Sequence, residues 1–405
     1  MKKICIINYK SNAAVYGIGT YLKEYVYCLT NMDFNIIIVE LGIDEKRNDF
    51  YIKDERNIRT IHFPLFSNID IEKYNKGVGR LLRLYMDESE EIVFHLQYAH
   101  CHSLLDYIKQ YFPKSKSIFT IHNLYWSEAL QGNKALFEKI IRNQTNEKII
   151  SKYSQVIESH KKEKLFLEKI DRVICLSNDT LQLLQNQYGI KKHICLISNG
   201  LKKNFHKMSE CQKKKFREEH FLSPEEKVLL FVGRIDPNKG IEHLVVCFDD
   251  VVKYFPNCRL ILIGNGDTDK IIEKCKNAYS KVTFTGRLDK KRLYQWYQIA
   301  DVALFPSFHE ECSYVGIEMM MHGLPIIASD GYGVRNMFHD SQNAKVVRLE
   351  NGKRKSRFED SLKEYILFAL NSDLSELRNG AKKTYQSKYS IERMQKGYMD
   401  LLDSL

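Results

Sequence analysis

Short apolar runs alternate with amphipathic stretches along most of the chain. In the first half the runs fall at about 3–9, 35–39, 59–63, 92–97, 117–122, 172–177 and 193–198. In the second half they fall at about 227–233, 259–263, 282–285, 302–305, 325–328 and 345–348. Many are rich in Ile and Val and read as continuous apolar runs, not as strict alternation. That is the pattern of strands covered on both faces, hence of parallel sheets flanked by helices. The stretches between carry helical periods: Leu22, Tyr25, Val26 and Leu29 after Thr20, and Leu244, Val245, Val251 and Val252 from Ile241. Strand, helix, strand repeated this often predicts doubly wound α/β domains.

The chain has 405 residues, enough for two sizeable cores. A polar segment near 200–225, crowded with Lys202, Lys203, Lys207, Lys213, Lys214 and Lys215 and ending at Ser223-Pro224, reads as the hinge. The expected division is 1–205, 220–385 and a C-terminal helix over 386–405 that packs back toward the N-terminal domain. Hydrophobic residues at 44% and charged residues at 28% exclude disorder over most of the chain. A net charge of +11 favours anionic partners or a solvated basic surface. No run approaches the roughly 18 apolar residues that span a bilayer. The apolar run after Met1-Lys2-Lys3 is too short for a signal-peptide core. Ten cysteines without a C-x-x-C pair read as buried, reduced thiols of a cytoplasmic protein.

Candidate chemistry gathers where strands end. After the first run, Tyr16-Gly17-Ile18-Gly19-Thr20 opens a helix, and its glycines would let backbone approach a ligand at a helix N-terminus. His122 ends a strand, where open α/β sheets place functional groups. In the second half, Gly233-Arg234 leaves a strand and Lys239-Gly240 begins the next helix. A planar cation and a point cation flanking one loop suit a diphosphate. Gly264-Asn265-Gly266 and Gly286-Arg287 repeat the strand-then-glycine pattern. Glu310 and Glu318 are eight apart; on one helix they would stand about 80° apart in azimuth and about 12 Å along the axis. A loop glutamate followed by a helix glutamate, accepting hydrogen bonds from sugar or ribose hydroxyls, fits better.

This set, in this order, resembles the retaining glycosyltransferases of family 4, as does the run Gly323-Leu324-Pro325-Ile326-Ile327-Ala328-Ser329. The resemblance spans nearly the whole chain. It implies the GT-B architecture of two Rossmann-like domains facing a central cleft. It implies transfer from a nucleoside-diphosphate sugar to a glycan or lipid-linked acceptor, with retention and without a metal or other cofactor. Uridine is the base expected from family frequency. The destination expected is a cell-surface polysaccharide or glycoconjugate. By the same resemblance, Arg234 and Lys239 neutralise the diphosphate, Glu318 holds the ribose and Glu310 the donor sugar. Backbone at Ser313, Tyr314 and Val315 meets the phosphates, and Arg287 and Leu288 lie near the base. His122 sits by the transferred sugar, and Gly17 and Gly19 let the first loop approach phosphate and acceptor. Gly233, Gly264 and Gly266 line the donor side. The chain departs from the family at Glu311-Cys312-Ser313, where many members carry Gly-Phe-Gly, and at Asn336, where a glutamate is common.

Other readings remain at this stage. A glycoside hydrolase built on Glu310 and Glu318 would leave Arg234 and Lys239 idle. A sugar-nucleotide epimerase shares the fold. A nucleic-acid-binding protein would use the positive charge, but no zinc-finger, RNP or KH signature is present and no nucleic acid is expected as partner. Asp267-Thr268-Asp269 matches a metal-binding D-x-D but reads better as a helix cap. His95, His100, Cys101 and His102 read better as strand-end packing than as metal ligands. Lys73, Lys76, Arg80 and Arg83, interleaved with Leu81, Leu82, Leu84 and Tyr85, form a basic amphipathic segment. It suits peripheral contact with an anionic membrane, placing the protein on the inner face of the cytoplasmic membrane.

Overall fold

The computed structural model of the chain describes residues 2–9, 17–32, 34–43, 51–64, 70–98, 101–349 and 355–405. The chain divides into two compact units. One holds Met1–Trp126, Leu136–Gly200 and Ile391–Leu405; the other holds Ser127–Ala135 and Leu201–Ser390. The lysine-rich stretch read as a hinge contains a helix, Glu210–Glu219, closed by a Ser209/Gln212 capping box.

The first unit is built on strands β1 (Lys3–Tyr9), β2 (Asn35–Ile43), β3 (Tyr51–Glu55), β4 (Ile58–Pro64), β5 (Ile92–Leu96), β6 (Lys116–Thr120), β7 (Arg172–Cys175) and β8 (Ile194–Leu196). Their order is β3-β4-β2-β1-β5-β6-β7-β8. All neighbours are parallel except β3, which runs antiparallel to β4. The apolar runs account for every strand but β3. That strand is an edge of mostly exposed, charged residues. The second unit has β9 (Lys227–Val232), β10 (Cys258–Ile263), β11 (Val282–Gly286), β12 (Val302–Phe305), β13 (Ile326–Ser329) and β14 (Lys345–Val347), all parallel, in the order β11-β10-β9-β12-β13-β14.

In the second sheet the chain order runs outward in two directions from the central pair β9/β12; the first does so from β1/β5 except that β4 lies inside the edge strand β3. Helices leave the two central strands in opposite senses there, which opens a crevice at the carboxyl ends. The core of the second unit joins Leu229, Phe231, Leu260, Leu262 and Leu304 to Leu244, Val245 and Phe248 of the helix Ile241–Tyr254. In the first unit the helix Gly17–Thr30 buries Tyr21, Glu24, Tyr25, Cys28 and Leu29; Tyr25 and Leu29 of the predicted face lie inside, while Leu22 and Val26 are half-buried at its margin. Tyr25 packs on Tyr398 of the helix Ile391–Asp403 with ring centroids 4.4 Å apart, so the C-terminal helix completes this unit. Of the cysteines, all but Cys195 and Cys211 are buried, and none is bonded to another.

Three histidines, buried His95 and half-buried His122 and His322, stay neutral near pH 7. His95 in β5 is fully enclosed, with Nδ1 at 2.8 Å from the Tyr25 hydroxyl and Nε2 at 2.8 Å from Thr120 Oγ1. His322 stacks on Phe205 at 3.9 Å, and neither ring nitrogen has a hydrogen-bond partner. Burial pushes His95, His122 and His322 each down to about 3.

Two outcomes follow from this packing. Gly264 has φ +151°, and a Cβ there would stand 1.8 Å from the Gly233 carbonyl oxygen, whereas one on exposed Gly17 meets nothing within 4 Å. Gly264→Ala should therefore cost about 2–3 kcal/mol and lower the thermal midpoint, while Gly17→Ala is neutral or slightly stabilising. Equal midpoints for the two variants would contradict this packing. The second outcome concerns acid. Below the ordinary histidine value of 6.5 the unfolded chain takes up protons that the folded chain refuses until about pH 3. Stability should fall as pH drops through that window. His322→Phe should make the fall shallower in a pH series of thermal midpoints; an unchanged slope would show that His322 titrates alike in both states.

Candidate functional site

In the second unit the loops leaving the strands' carboxyl ends are stitched side to side by backbone. Gly233 N donates to Ile263 O at 2.9 Å, Ile235 N to Asn265 O at 2.9 Å, and Gly264 N to Gly286 O at 3.0 Å. The Asn265 side chain accepts from Arg287 N at 2.9 Å. Across the β9/β12 switch point, Phe308 N donates to Asn238 O at 2.9 Å. Beyond it, Glu310 N donates to Tyr332 O at 2.9 Å and Tyr332 N to Phe308 O at 3.1 Å. Gly333, at φ +72°, lets the Glu310 carbonyl approach; a Cβ there would stand 1.6 Å from that oxygen. The rim carries Arg234, Lys239, Arg287 and Glu310 on one continuous, hydrogen-bonded edge.

Arg234 and Lys239 on this edge are each matched by a carboxylate. Arg234 Nε lies 3.2 Å from Asp236 Oδ2, and Arg234 is half exposed. Asp236 also caps the turn Pro237–Lys239 by accepting from Asn238 N at 2.9 Å. Lys239 Nζ lies 2.6 Å from Glu310 Oε1, and both side chains are largely withdrawn from solvent. Glu318, 1% exposed, pairs through Oε1 with Lys290 and accepts through Oε2 from the Tyr297 hydroxyl at 3.0 Å. Burial, then the Glu318 charge, pushes Tyr297 well above the usual tyrosine range, so it donates as a neutral hydroxyl.

Glu310 and Glu318 thus belong to separate pairs, one on a loop and one inside the helix Tyr314–His322. Ser313 is the N-cap residue of that helix, and its own side chain makes no cap hydrogen bond. Ser313 N donates to Met337 Sδ at 3.3 Å. Tyr314 is buried and Val315 half-buried; Arg287 is exposed and Leu288 half-buried. Glu311 and Cys312, the departures from the family pattern, are both buried, each 6% exposed.

In the first unit, His122 follows β6. Its Nε2 lies 2.8 Å from Gln97 Oε1, just beyond β5, and its ring meets the Tyr21 ring edge-on at 4.7 Å. This group also lies at the carboxyl ends of the central strands. Gly17 and Gly19 open the helix that carries Tyr21; residues 10–16 before them, Tyr16 included, lie outside the described residues.

The decoys resolve locally. Asp267 caps the short helix Thr268–Ile272 and pairs with Lys270 at 2.8 Å. His95 is satisfied by Tyr25 and Thr120, and Cys101 Sγ donates to Tyr98 O at 3.0 Å. His102 packs on Phe166 at 5.1 Å, and His100 lies outside the described residues. Among the described residues no three His, Cys, Asp or Glu side chains are grouped to hold a metal ion, and no helix is long and apolar enough to cross a membrane. The basic segment forms the helix Ile71–Leu82, whose Tyr74, Val78 and Leu82 are buried while Lys73, Lys76 and Arg80 face solvent. Arg83 is tied to Glu88 and lies 4.2 Å over the Tyr111 ring. The helix buries Tyr74, Val78 and Leu82 inside the protein, which leaves the cationic stripe and, just past the helix, the exposed Leu84 toward solvent.

Sequence reasoning missed Asp236, Lys290, Tyr297 and Gly333. Asp236 was legible as an Asp-Pro helix start between the two cations. Lys290 and Tyr297 carry no local signal; only the return of their helix to Glu318 brings them in. The segment Ser127–Ala135, from the first half of the sequence, belongs to the second unit, where Gly132 lies against the Phe308 carbonyl.

The sequence compares closely with known proteins. The family described as Glycosyltransferase Family 4 matches residues 15–204, and that described as Glycosyl transferases group 1 matches residues 212–384. An uncharacterized glycosyltransferase of Methanocaldococcus jannaschii is 29% identical over 194 residues, 46% of this chain and 47% of that protein, so the match spans about half of that relative. An uncharacterized 41.2 kDa protein in the cps region of Klebsiella pneumoniae is 27% identical over 258 residues, 60% of this chain and 69% of that protein. Among solved structures, sucrose-phosphate synthase from Thermosynechococcus elongatus superposes with a TM-score of 0.78 at 20% identity, covering 100% of this chain and 99% of that one. Anabaena HepE in complex with UDP-glucose gives 0.70 at 14% identity, covering 100% of both. These likenesses carry the GT-B fold. With adjoining family matches over both halves and two parallel sheets of that fold, the chain belongs to the group 1, family 4 glycosyltransferases.

Proposed function

We propose that the chain transfers a glycosyl residue from a nucleoside-diphosphate sugar, with uridine as the base, to a hydroxyl of a glycan or lipid-linked acceptor, with retention and without a metal. The reading places it in assembly of a cell-surface polysaccharide or glycoconjugate. The observation that carries it is the charged edge of the second sheet. Arg234 and Lys239 leave the two ends of one strand-to-helix loop at the switch point, and Lys239 pairs with Glu310 on the loop that leads into the helix Tyr314–His322. The UDP-glucose held by HepE supports the donor, and the relative in a cps region is in keeping with the destination.

The geometry supports the following roles. An exposed ion pair such as Arg234–Asp236 is worth roughly 0.2–1 kcal/mol, and a charge-assisted bond to phosphate about 1.5–3 kcal/mol. A diphosphate therefore takes Arg234 from Asp236. When it also draws Lys239, Glu310 is released to accept hydroxyls of the donor sugar, which couples phosphate binding to sugar binding. As the bond from the anomeric carbon to the bridging oxygen breaks, negative charge grows on that oxygen. Two preplaced cations and the N–H groups at Ser313–Val315 oppose it. Glu318 holds the ribose, and Gly264, Gly266, Arg287 and Leu288 border the nucleoside. His122 is neutral at physiological pH, so its part is to hydrogen-bond the sugar, with Gln97 fixing the ring. The departing phosphate takes the acceptor proton.

Donor hydrolysis and binding across a panel of sugar nucleotides, with and without EDTA, test the reading. One donor should be turned over selectively and without a metal. Arg234→Ala should lower kcat/KM by about 10–100-fold. Near-normal turnover by that variant, or loss of activity in EDTA, would refute the diphosphate assignment or the metal-free step respectively. The Lys73, Lys76 and Arg80 stripe suits an anionic lipid surface by charge alone. Neutralising all three should release the protein from phosphatidylglycerol vesicles at low salt, whereas neutralising Arg83 should matter less. Unchanged co-sedimentation of the triple variant would remove the membrane from the proposal.

A further inference from the structure

Glu318 is buried, and its two oxygens have different kinds of partner. Oε2 accepts from Tyr297, itself 1% exposed and held between Tyr294 and His322, with ring centroids 6.2 and 5.1 Å away. That partner is locked in the core. Oε1 is held by Lys290, whose side chain is 53% exposed and passes 5.7 Å from the Tyr294 ring. That partner can move. A ligand hydroxyl approaching from solvent therefore meets Glu318 at Oε1, where the ammonium already sits.

We infer that Lys290 competes with the nucleotide's ribose for Glu318 Oε1 and sets the preference for phosphorylated over unphosphorylated nucleosides. The inference rests on the reading of Glu318 as the ribose holder. In the empty site the ammonium neutralises a carboxylate that would otherwise be buried without a countercharge. A ribose hydroxyl that docks displaces it. A nucleoside offers the released cation nothing, so the pair opposes its binding. A nucleoside diphosphate offers a phosphate, and the cation lost by Glu318 is taken up by the ligand. The chain thereby favours charged donors over the free nucleosides that share their base and ribose.

Titration calorimetry with uridine and UDP on the whole chain tests this, repeated with the adenosine and guanosine pairs. Lys290→Gln should bind the nucleoside about three- to tenfold more tightly and the diphosphate about tenfold more weakly than wild type. Lys290→Arg should restore the diphosphate affinity. A merely structural lysine would weaken both ligands together, and equal losses, or no change in either, overturn the inference. Thermal midpoints of both variants check that each is folded. Glu318→Gln separates the two levels of argument. If it leaves both affinities untouched, the ribose reading itself fails; if it weakens both while Lys290→Gln shows no opposite shifts, only the role of Lys290 fails.

Discussion

The arrangement depends on backbone hydrogen bonds between neighbouring loops at the carboxyl ends of a parallel sheet. A parallel sheet has no hairpins on its ladder, so every strand must leave through a loop at one end. Those loops carry peptide groups that the ladder no longer pairs, and each needs a partner. In the second unit the loops supply one another: Gly233 reaches β10, Ile235 reaches Asn265, and Gly264 reaches Gly286. Such close lateral contact leaves no room for a side chain at Gly264 or Gly333. The glycines are thus a condition of the rim's continuity, and the rim holds Arg234, Lys239 and Glu310 at fixed separations.

Charge pairing is the second constraint. Two cations facing an empty crevice would repel each other and any approach of backbone N–H dipoles. The chain meets this by giving each cation an acid of graded availability. Asp236 holds half-exposed Arg234 loosely, Glu310 holds the largely withdrawn Lys239 more tightly, and buried Glu318 pairs with a Lys290 whose side chain stays half in solvent. The difference between the first two follows exposure, because the same Coulomb attraction is worth several times more where water is excluded. An incoming anion then meets the loosest cation first.

The fold was legible because covered parallel strands are apolar at nearly every position, and this chain keeps them so. The edge strand β3 was not, since Lys53, Asp54 and Glu55 face solvent and leave no apolar signal. The inward face of Gly17–Thr30 was legible at Tyr25 and Leu29 but not at Tyr21 and Cys28, which lie further in than Leu22 and Val26. Its buried tyrosines, Tyr21 and Tyr25, reach a polar cluster with His95 and Thr120 that only the folded sheet assembles. In the site, Arg234, Lys239 and Glu310 were legible because glycines and strand ends mark them. Lys290 and Tyr297 were not, because their meaning lies in one carboxylate on another helix. The basic helix was half legible: its cations face outward as read, while its apolar face closes the core beneath it.

The histidine at the end of β6 clarifies the division of labour. His122 is held by Gln97 and by the Tyr21 ring, and burial keeps it neutral well below physiological pH. A histidine that refuses a proton is a poor general acid near pH 7, and one fixed by a partner at Nε2 presents its other nitrogen in a defined direction. The ring in the first unit is thus fitted to orient a hydrogen-bonded group and not to give up a proton, while the cations of the candidate edge, Arg234 and Lys239, belong to the second unit, each held by packing within its own unit.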